Sequence, residues 1–260
     1  MWGIIPASPR VFALRAGWRR GPRARQSCSA RPNSLMSAKS DLSATWAAVL
    51  SLLFASGVLL VGIGLLFTAL GLRAGLEQFS TVATGMVMSA YFLGFVIGTF
   101  YCPVLIRRVG HIRAFAAMAS VASAAAIMHA MIVNPWAWAA LRLVTGVCLV
   151  GLYMVLESWL NALSPNAARG RVFAAYMAVT LVAMGVGQYL VLVGEVMGFV
   201  PLGLVSIILS IALVPVAITR TPEPRPVAVP ALSIARLYAI SPLGVAAALS
   251  SGLLNGAFYG

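Results

Sequence analysis

The sequence predicts an all-α, polytopic membrane protein: a bundle of apolar helices, not a soluble domain. Three observations lead there. Its 260 residues are 61% hydrophobic and only 9% charged, too few charges to cover a water-facing surface. Seven apolar runs recur along the chain, each near the roughly 20 residues that cross a hydrocarbon core. The connections between them alternate, basic and then not, as loops do on the two sides of a bilayer.

Residues 1–45 precede the first run. Arg10, Arg15, Arg19, Arg20, Arg23, Arg25 and Arg31 occur there with no acid before Asp41. Three readings of this basic tail are open: a true start at Met36, a cytosolic tail, or an Arg- and Ser-rich targeting segment. It holds no apolar core of a cleavable secretory signal. The apolar runs then fall at 46–70, 83–106, 113–133, 135–160, 172–193, 199–219 and 242–260. The first six make one transmembrane bundle, 46–219. Residues 220–241 are rich in proline and read as a cytoplasmic linker. The last run ends at Gly260 without a polar flank, so a fragment with a truncated seventh helix is expected.

Charge orients the bundle. One set of connections carries the tail, then Arg107, Arg108 and Arg113, then Arg169 and Arg171, then Arg220, Arg225 and Arg236. The other carries Arg73 with Glu77, the uncharged Asn134 turn, and Glu195. Positive charge stays inside, which puts the N-terminus in the cytoplasm and the protein in the cell (inner) membrane.

The run 135–160 holds the residues of greatest interest. As a helix it sets Arg142, Gly146, Leu149, Tyr153 and Glu157 on one face. Arg142 then lies about 10 Å from the Pro135 end and Glu157 about 33 Å from it. An arginine at that depth costs about 2.5–3.5 kcal/mol on insertion scales. Either its stem snorkels to the headgroups, or it faces a water-filled substrate cavity with Gly146 and Tyr153. Glu157 reads either as an interfacial carboxylate neutralised by solvent or as half of a latch with Arg108, Arg169 or Arg171. His129 reads as an interfacial hydrogen-bonder or a proton relay. Trp136, Trp138 and Trp159 read as interface-belt residues. Gly57, Gly64 and Gly71, Gly94 and Gly98, and Gly185 and Gly187 mark faces where helix backbones approach closely.

Other classes find little support. The net charge of +13 does not point to nucleic acid, because the basic residues sit in loops and tail with no aromatic interleaving. Cys28, Cys102 and Cys148 are scattered and form no metal or disulfide framework. The chain has no G-x-S-x-G, no H-E-x-x-H and no paired carboxylates, and Ser250-Ser251-Gly252 has no positioned His or Asp. No catalytic residue, metal or cofactor is expected. No Asp or Glu lies deep in the first six runs, so carboxylate proton coupling would have to come from elsewhere in the protein.

Residues 98–113 read Gly-Thr-Phe-Tyr-Cys-Pro-Val-Leu-Ile-Arg-Arg-Val-Gly-His-Ile-Arg. This resembles the loop between helices two and three of the major facilitator superfamily, with Arg108, Gly110 and Arg113 on the family's basic and glycine positions. Arg107 stands where the family usually has Asp, so the ion pair assigned to that Asp is not carried over. Arg142 and Gly146 match the family's R-x-x-x-G of helix four. Glu157 followed by Arg169-Gly170-Arg171, with Ala174-Ala175-Tyr176-Met177 beyond, is similar to the YcaD-like branch. The resemblance implies a twelve-helix carrier of two six-helix bundles with alternating access. This chain would supply the first bundle, the linker and the start of helix seven. Its partners would be the bilayer, an unidentified small-molecule substrate and the missing C-terminal half. Glu157, Arg107, Arg108, Gly110, Arg113, Arg169, Gly170 and Arg171 would form the cytoplasmic gate. Helices two and five would face the other bundle, setting Gly94, Gly98, Gly185 and Gly187 where the halves rock. The helix-five Gly-Pro pattern of drug–proton antiporters is not present at 184–188. The alternative is a seven-span sensor or scaffold without transport activity.

Overall fold

The computed structural model describes residues 32–218 and 234–259, with side chains over 45–218 and 236–254. Two compact units, Met1–Lys39 and Ser40–Gly260, divide the chain. Of the first, residues 32–39 are described and helical; the bundle lies in the second.

The elements run α1 (Pro32–Leu76), α2 (Thr81–Val109), α3 (His111–Met131), α4 (Pro135–Leu163), α5 (Arg169–Tyr189), α6 (Val200–Ile218), α7 (Ile234–Ile240) and α8 (Pro242–Tyr259). A short 3-10 turn, Leu190–Val193, follows α5. Helices α1 to α6 are long and apolar enough to cross a membrane, α1 over Thr45–Leu76. The seventh expected run is α8, apolar but shorter over Pro242–Leu254. Two boundaries differ from the expectation. Helix α1 begins at Pro32, not at Trp46, because Leu35, Met36, Ala38 and Lys39 are good helix formers whether or not lipid surrounds them. Residues 234–240, read as linker, are helical with Arg236 to Ile240 exposed. Residues 220–233 of the linker and 1–31 of the tail lie outside the described residues.

Local chemistry sets the helix ends. The Ser80 hydroxyl accepts from the Ala83 amide at 3.2 Å and caps α2. Asn134 accepts from the Trp136 and Ala137 amides at 2.9 and 3.2 Å, ahead of Pro135 at the first helical position of α4. Between α2 and α3 the chain turns on Gly110 alone, at φ 87° and ψ 166°. That region is essentially closed to residues with a Cβ, so the loop needs glycine at this position.

Packing then follows the small residues. The Gly94 backbone lies against the Leu143 carbonyl, Gly98 against Val147 and Val150, and Gly146 against the Tyr91 carbonyl and the Phe95 amide. These contacts join α2 to α4. Gly64 meets the Met184 carbonyl and Gly187 the Val61 carbonyl, which joins α1 to α5. Gly62 sits against Ile208 of α6. The Ser123 hydroxyl of α3 lies 2.6 Å from that of Ser206 and 3.2 Å from that of Ser210 on α6. Without a hydrophobic drive between helices in lipid, such close approaches and hydrogen bonds hold a bundle together.

Three of the four glycines expected at helix contacts make such contacts within this bundle. Gly94, Gly98 and Gly187 are spent inside this bundle, α2 on α4 and α5 on α1, while Gly185 has nothing within 4 Å. A G-x-x-x-G face goes to whichever neighbour offers a matching backbone, and the nearest is in the same bundle.

The aromatic belt also needs correcting. Trp136 is 73% exposed, but Trp138 and Trp159 are fully buried. The Trp138 indole donates to the Ile132 carbonyl at 2.7 Å and its ring packs on His129 and Phe79. His129 is likewise buried, its Nδ1 2.6 Å from the Ala125 carbonyl. Arg73, expected in an outer loop, closes α1 as a buried residue. It pairs with Glu77 at 3.3 Å and reaches the Ala130 carbonyl at 3.5 Å. At this end of the bundle the polar groups turn inward and backbone carbonyls satisfy part of them, while Arg73 Nη1 and His129 Nε2 stay without a hydrogen-bond partner.

Candidate functional site

The centre of the bundle is aromatic. Phe67 of α1 stands edge-on to Tyr91 of α2, with ring centroids 4.8 Å apart. Tyr91 also meets Phe92 at 5.2 Å and Phe95 at 6.0 Å, and Phe95 meets Tyr153 of α4 at 6.3 Å. A cavity of about 110 Å³ opens among Ile63, Phe67, Tyr91, Phe92, Tyr153 and Met184. Its walls come from α1, α2, α4 and α5.

Arg142 stands beside this cavity without lining it, and its side chain is completely buried. The guanidinium carbon lies 4.3 Å from the Phe67 ring centroid and 5.5 Å from that of Tyr91. Both rings are cavity walls. Its Nη2 donates only to the Met88 thioether, at 3.2 Å. Nε and Nη1 have no hydrogen-bond partner. A desolvated cation–π contact contributes about 2 kcal/mol. Each buried donor left unpaired costs about 1–3 kcal/mol, and more when charged. The rings hold the arginine in place but leave its hydrogen bonds unmade.

Of the expected cavity residues, Tyr153 lines the cavity and Arg142 stacks on two of its walls. Gly146 does neither; it is the point where α4 touches the α2 backbone. Snorkelling does not describe this Arg142, since a snorkelling side chain ends in the headgroups and this one ends between Phe67 and Tyr91. Residues Phe67, Met88, Tyr91, Phe92 and Met184 were not singled out from the sequence. Nothing in a uniformly apolar run separates a residue that walls a cavity from one that faces lipid.

At the other end of α4, Glu157 is exposed and accepts a hydrogen bond from the Tyr176 hydroxyl of α5 at 3.3 Å. Arg107, Arg108, Arg113, Arg169 and Arg171 are exposed as well, and Gly110 and Gly170 fall in the same connections. The ends of α2 and α4 and the starts of α3 and α5 lie on one side of an up-and-down bundle, so these residues share it. An ion pair joins Arg73 to Glu77 at the opposite end of the bundle. In this conformation Glu157 is met by a tyrosine, not by a loop arginine.

Comparison with known proteins gives these residues a context. A family model described as sugar (and other) transporter matches residues 27–219. The uncharacterized MFS-type transporter YcaD of Escherichia fergusonii is 31% identical over 215 residues, which is 80% of this chain and 56% of that protein. Its counterpart in Salmonella arizonae is 30% identical over 207 residues, 78% of this chain and 54% of that one. The chain spans about half the length of the curated relatives it matches.

Proposed function

Because the chain belongs to the sugar (and other) transporter family, within the major facilitator superfamily, we propose that it works in a secondary active carrier of small solutes. Its six long helices form one of two bundles that alternate access to a site between them, with residues 220–241 as the cytoplasmic linker to the other. One observation carries this reading. Arg142 is buried beside a cavity bounded by four helices, and two of its nitrogens have no protein partner. Intramembrane ions are expensive and tend to mark solute pathways. Arg142 binds an anionic group of the cargo or holds a hydrated site there, with Gly146 setting the α2–α4 distance and Tyr153 forming the wall.

The orientation has the N-terminus and the linker inside the cell, in line with the alternation of basic loops. Two cysteines on a cysteine-free background test it with a membrane-impermeant thiol reagent applied to intact cells. Glu195→Cys is expected to label and Arg225→Cys to stay unlabelled. The reverse pattern overturns the topology. For alternating access the reporter is Met184→Cys, on the cavity wall. It is expected to react from outside in cells and from the opposite face in inverted vesicles. Reaction from one face alone favours a sensor or scaffold over a carrier.

The cytoplasmic gate comprises Glu157 with Arg107, Arg108, Gly110, Arg113, Arg169, Gly170 and Arg171. When the cavity opens outward, Glu157 exchanges Tyr176 for Arg108, Arg169 or Arg171; on inward opening that pair breaks. An exposed pair contributes at most about 1 kcal/mol, which shifts a two-state balance about fivefold. Glu157→Gln is therefore expected to raise the reactivity of Met154→Cys from the cytoplasmic face by about that factor. Equal labelling rates with and without the substitution would remove the latch.

A further inference from the structure

We propose that the cavity takes a small organic monocarboxylate with an apolar or aromatic body, and that Phe67 and Tyr91 form the lid between that body and Arg142. The proposal rests on the carrier reading above and adds the chemistry of the cargo.

The walls that this bundle supplies favour an apolar body for the ligand. Its six lining residues are Ile63, Phe67, Tyr91, Phe92, Tyr153 and Met184, and none of the six offers a charge. A cavity of about 150 Å³ lined by such residues holds a benzene ring, so one of about 110 Å³ fits a short branched chain or, with slight ring movement, a single ring. Sugars and other polyols suit it poorly, because the walls offer only the hydroxyls of Tyr91 and Tyr153 to replace the hydrogen bonds that many hydroxyls would lose to water.

The head group follows from Arg142. An aromatic box usually attracts a cation, but here the box already holds one: the guanidinium lies against the rings of Phe67 and Tyr91. A second cation in the cavity would be repelled and an anion attracted. Guanidinium offers two bidentate edges, Nε with Nη2 and Nη1 with Nη2. Nε and Nη1 are unpartnered, and Nη2 is engaged only by a thioether, a weak acceptor. Each edge thus has one unpartnered nitrogen, and a carboxylate, the stronger acceptor, displaces the Met88 thioether from Nη2 to complete it. The rings of Phe67 and Tyr91 are what must move for a carboxylate to reach them. Phe67 is only partly buried and Tyr91 has its neighbours on α2 itself, so Phe67 is the ring that is freer to swing.

The probes are benzoate, its neutral isostere benzyl alcohol and its cationic one benzylammonium, with the complete carrier purified in detergent. Phenylglyoxal modification of Arg142, located by mass spectrometry, reports whether the guanidinium is accessible. Labelling of the wild type is expected to be slow. Phe67→Ala is expected to speed it about tenfold, as removal of a lid that is open about a tenth of the time would. Phe67→Leu keeps the side-chain bulk in case the alanine variant fails to fold, and an intermediate rate is expected from it. Benzoate is expected to protect Arg142 and to raise the melting temperature, while the other two probes do neither. Unchanged labelling in both Phe67 variants overturns the lid. Protection by benzylammonium or benzyl alcohol as good as that by benzoate overturns the carboxylate. Counterflow in proteoliposomes separates this idea from the carrier reading. Benzoate binding without counterflow upholds the site and overturns transport. Counterflow of another solute without benzoate binding overturns the site and leaves the carrier.

Discussion

Uptake by the complete carrier is expected to be lost in Arg142→Ala, with its abundance in the membrane unchanged. The two halves of that statement have separate causes. Truncating the side chain removes a buried charge whose insertion costs about 2.5–3.5 kcal/mol, which offsets the lost contacts with Phe67, Tyr91 and Met88. The bundle therefore still assembles. What disappears is the only group at the cavity with open hydrogen-bond donors and a charge among the described residues. Removing one partner of a buried, charge-assisted hydrogen bond costs about 2–5 kcal/mol of binding, or roughly one and a half to three and a half decades of affinity. Arg142→Lys is expected to restore part of the uptake, since an ammonium supplies the charge without the planar fork. Radiolabelled uptake normalised to surface protein makes the measurement. Wild-type uptake in the alanine variant would show that Arg142 serves only to pack the rings.

The second large effect concerns stability. Gly146→Ala and Gly187→Ala are each expected to lower the melting temperature of the solubilised protein clearly, while Gly185→Ala leaves it unchanged or raises it. A methyl on Gly146 would run into the Tyr91 carbonyl and the Phe95 amide, and one on Gly187 into the Val61 carbonyl and the Leu65 amide. These obstacles are backbone, which has no rotamer to escape into, so the helices must part. Overpacking of this kind costs about 1–3 kcal/mol and sometimes more. At Gly185 nothing lies within 4 Å, and alanine gains up to about 1 kcal/mol of helix propensity over glycine. Three equal melting temperatures would mean that α1–α5 and α2–α4 are not in backbone contact.

These two effects differ in how far the sequence announced them. Arg142 is conspicuous because a charge inside an apolar run is costly to insert wherever its stem ends. Phe67 and Tyr91 are invisible by the same logic, since a ring in an apolar helix is ordinary wherever it points. Gly187 was legible as a site of close approach, but not the helix it approaches, and Gly146 read as a cavity residue where the structure makes it a helix contact. His129 and Trp138 looked like interface residues from their nearness to a helix end, and both turned out to be buried against each other.

The class of the protein, its six long helices and the positions where charge enters the membrane were decided by the sequence alone. Hydrophobic length and loop charge are one-dimensional quantities, and a bilayer reads them as such. The partners of the glycines, the burial of Trp138 and Trp159, and the place of Arg142 behind the rings of Phe67 and Tyr91 were decided only by tertiary structure. In a helix that is apolar on every side, periodicity carries no record of which face meets protein and which meets lipid. That choice is made by van der Waals fit and hydrogen bonds between neighbours distant in the chain.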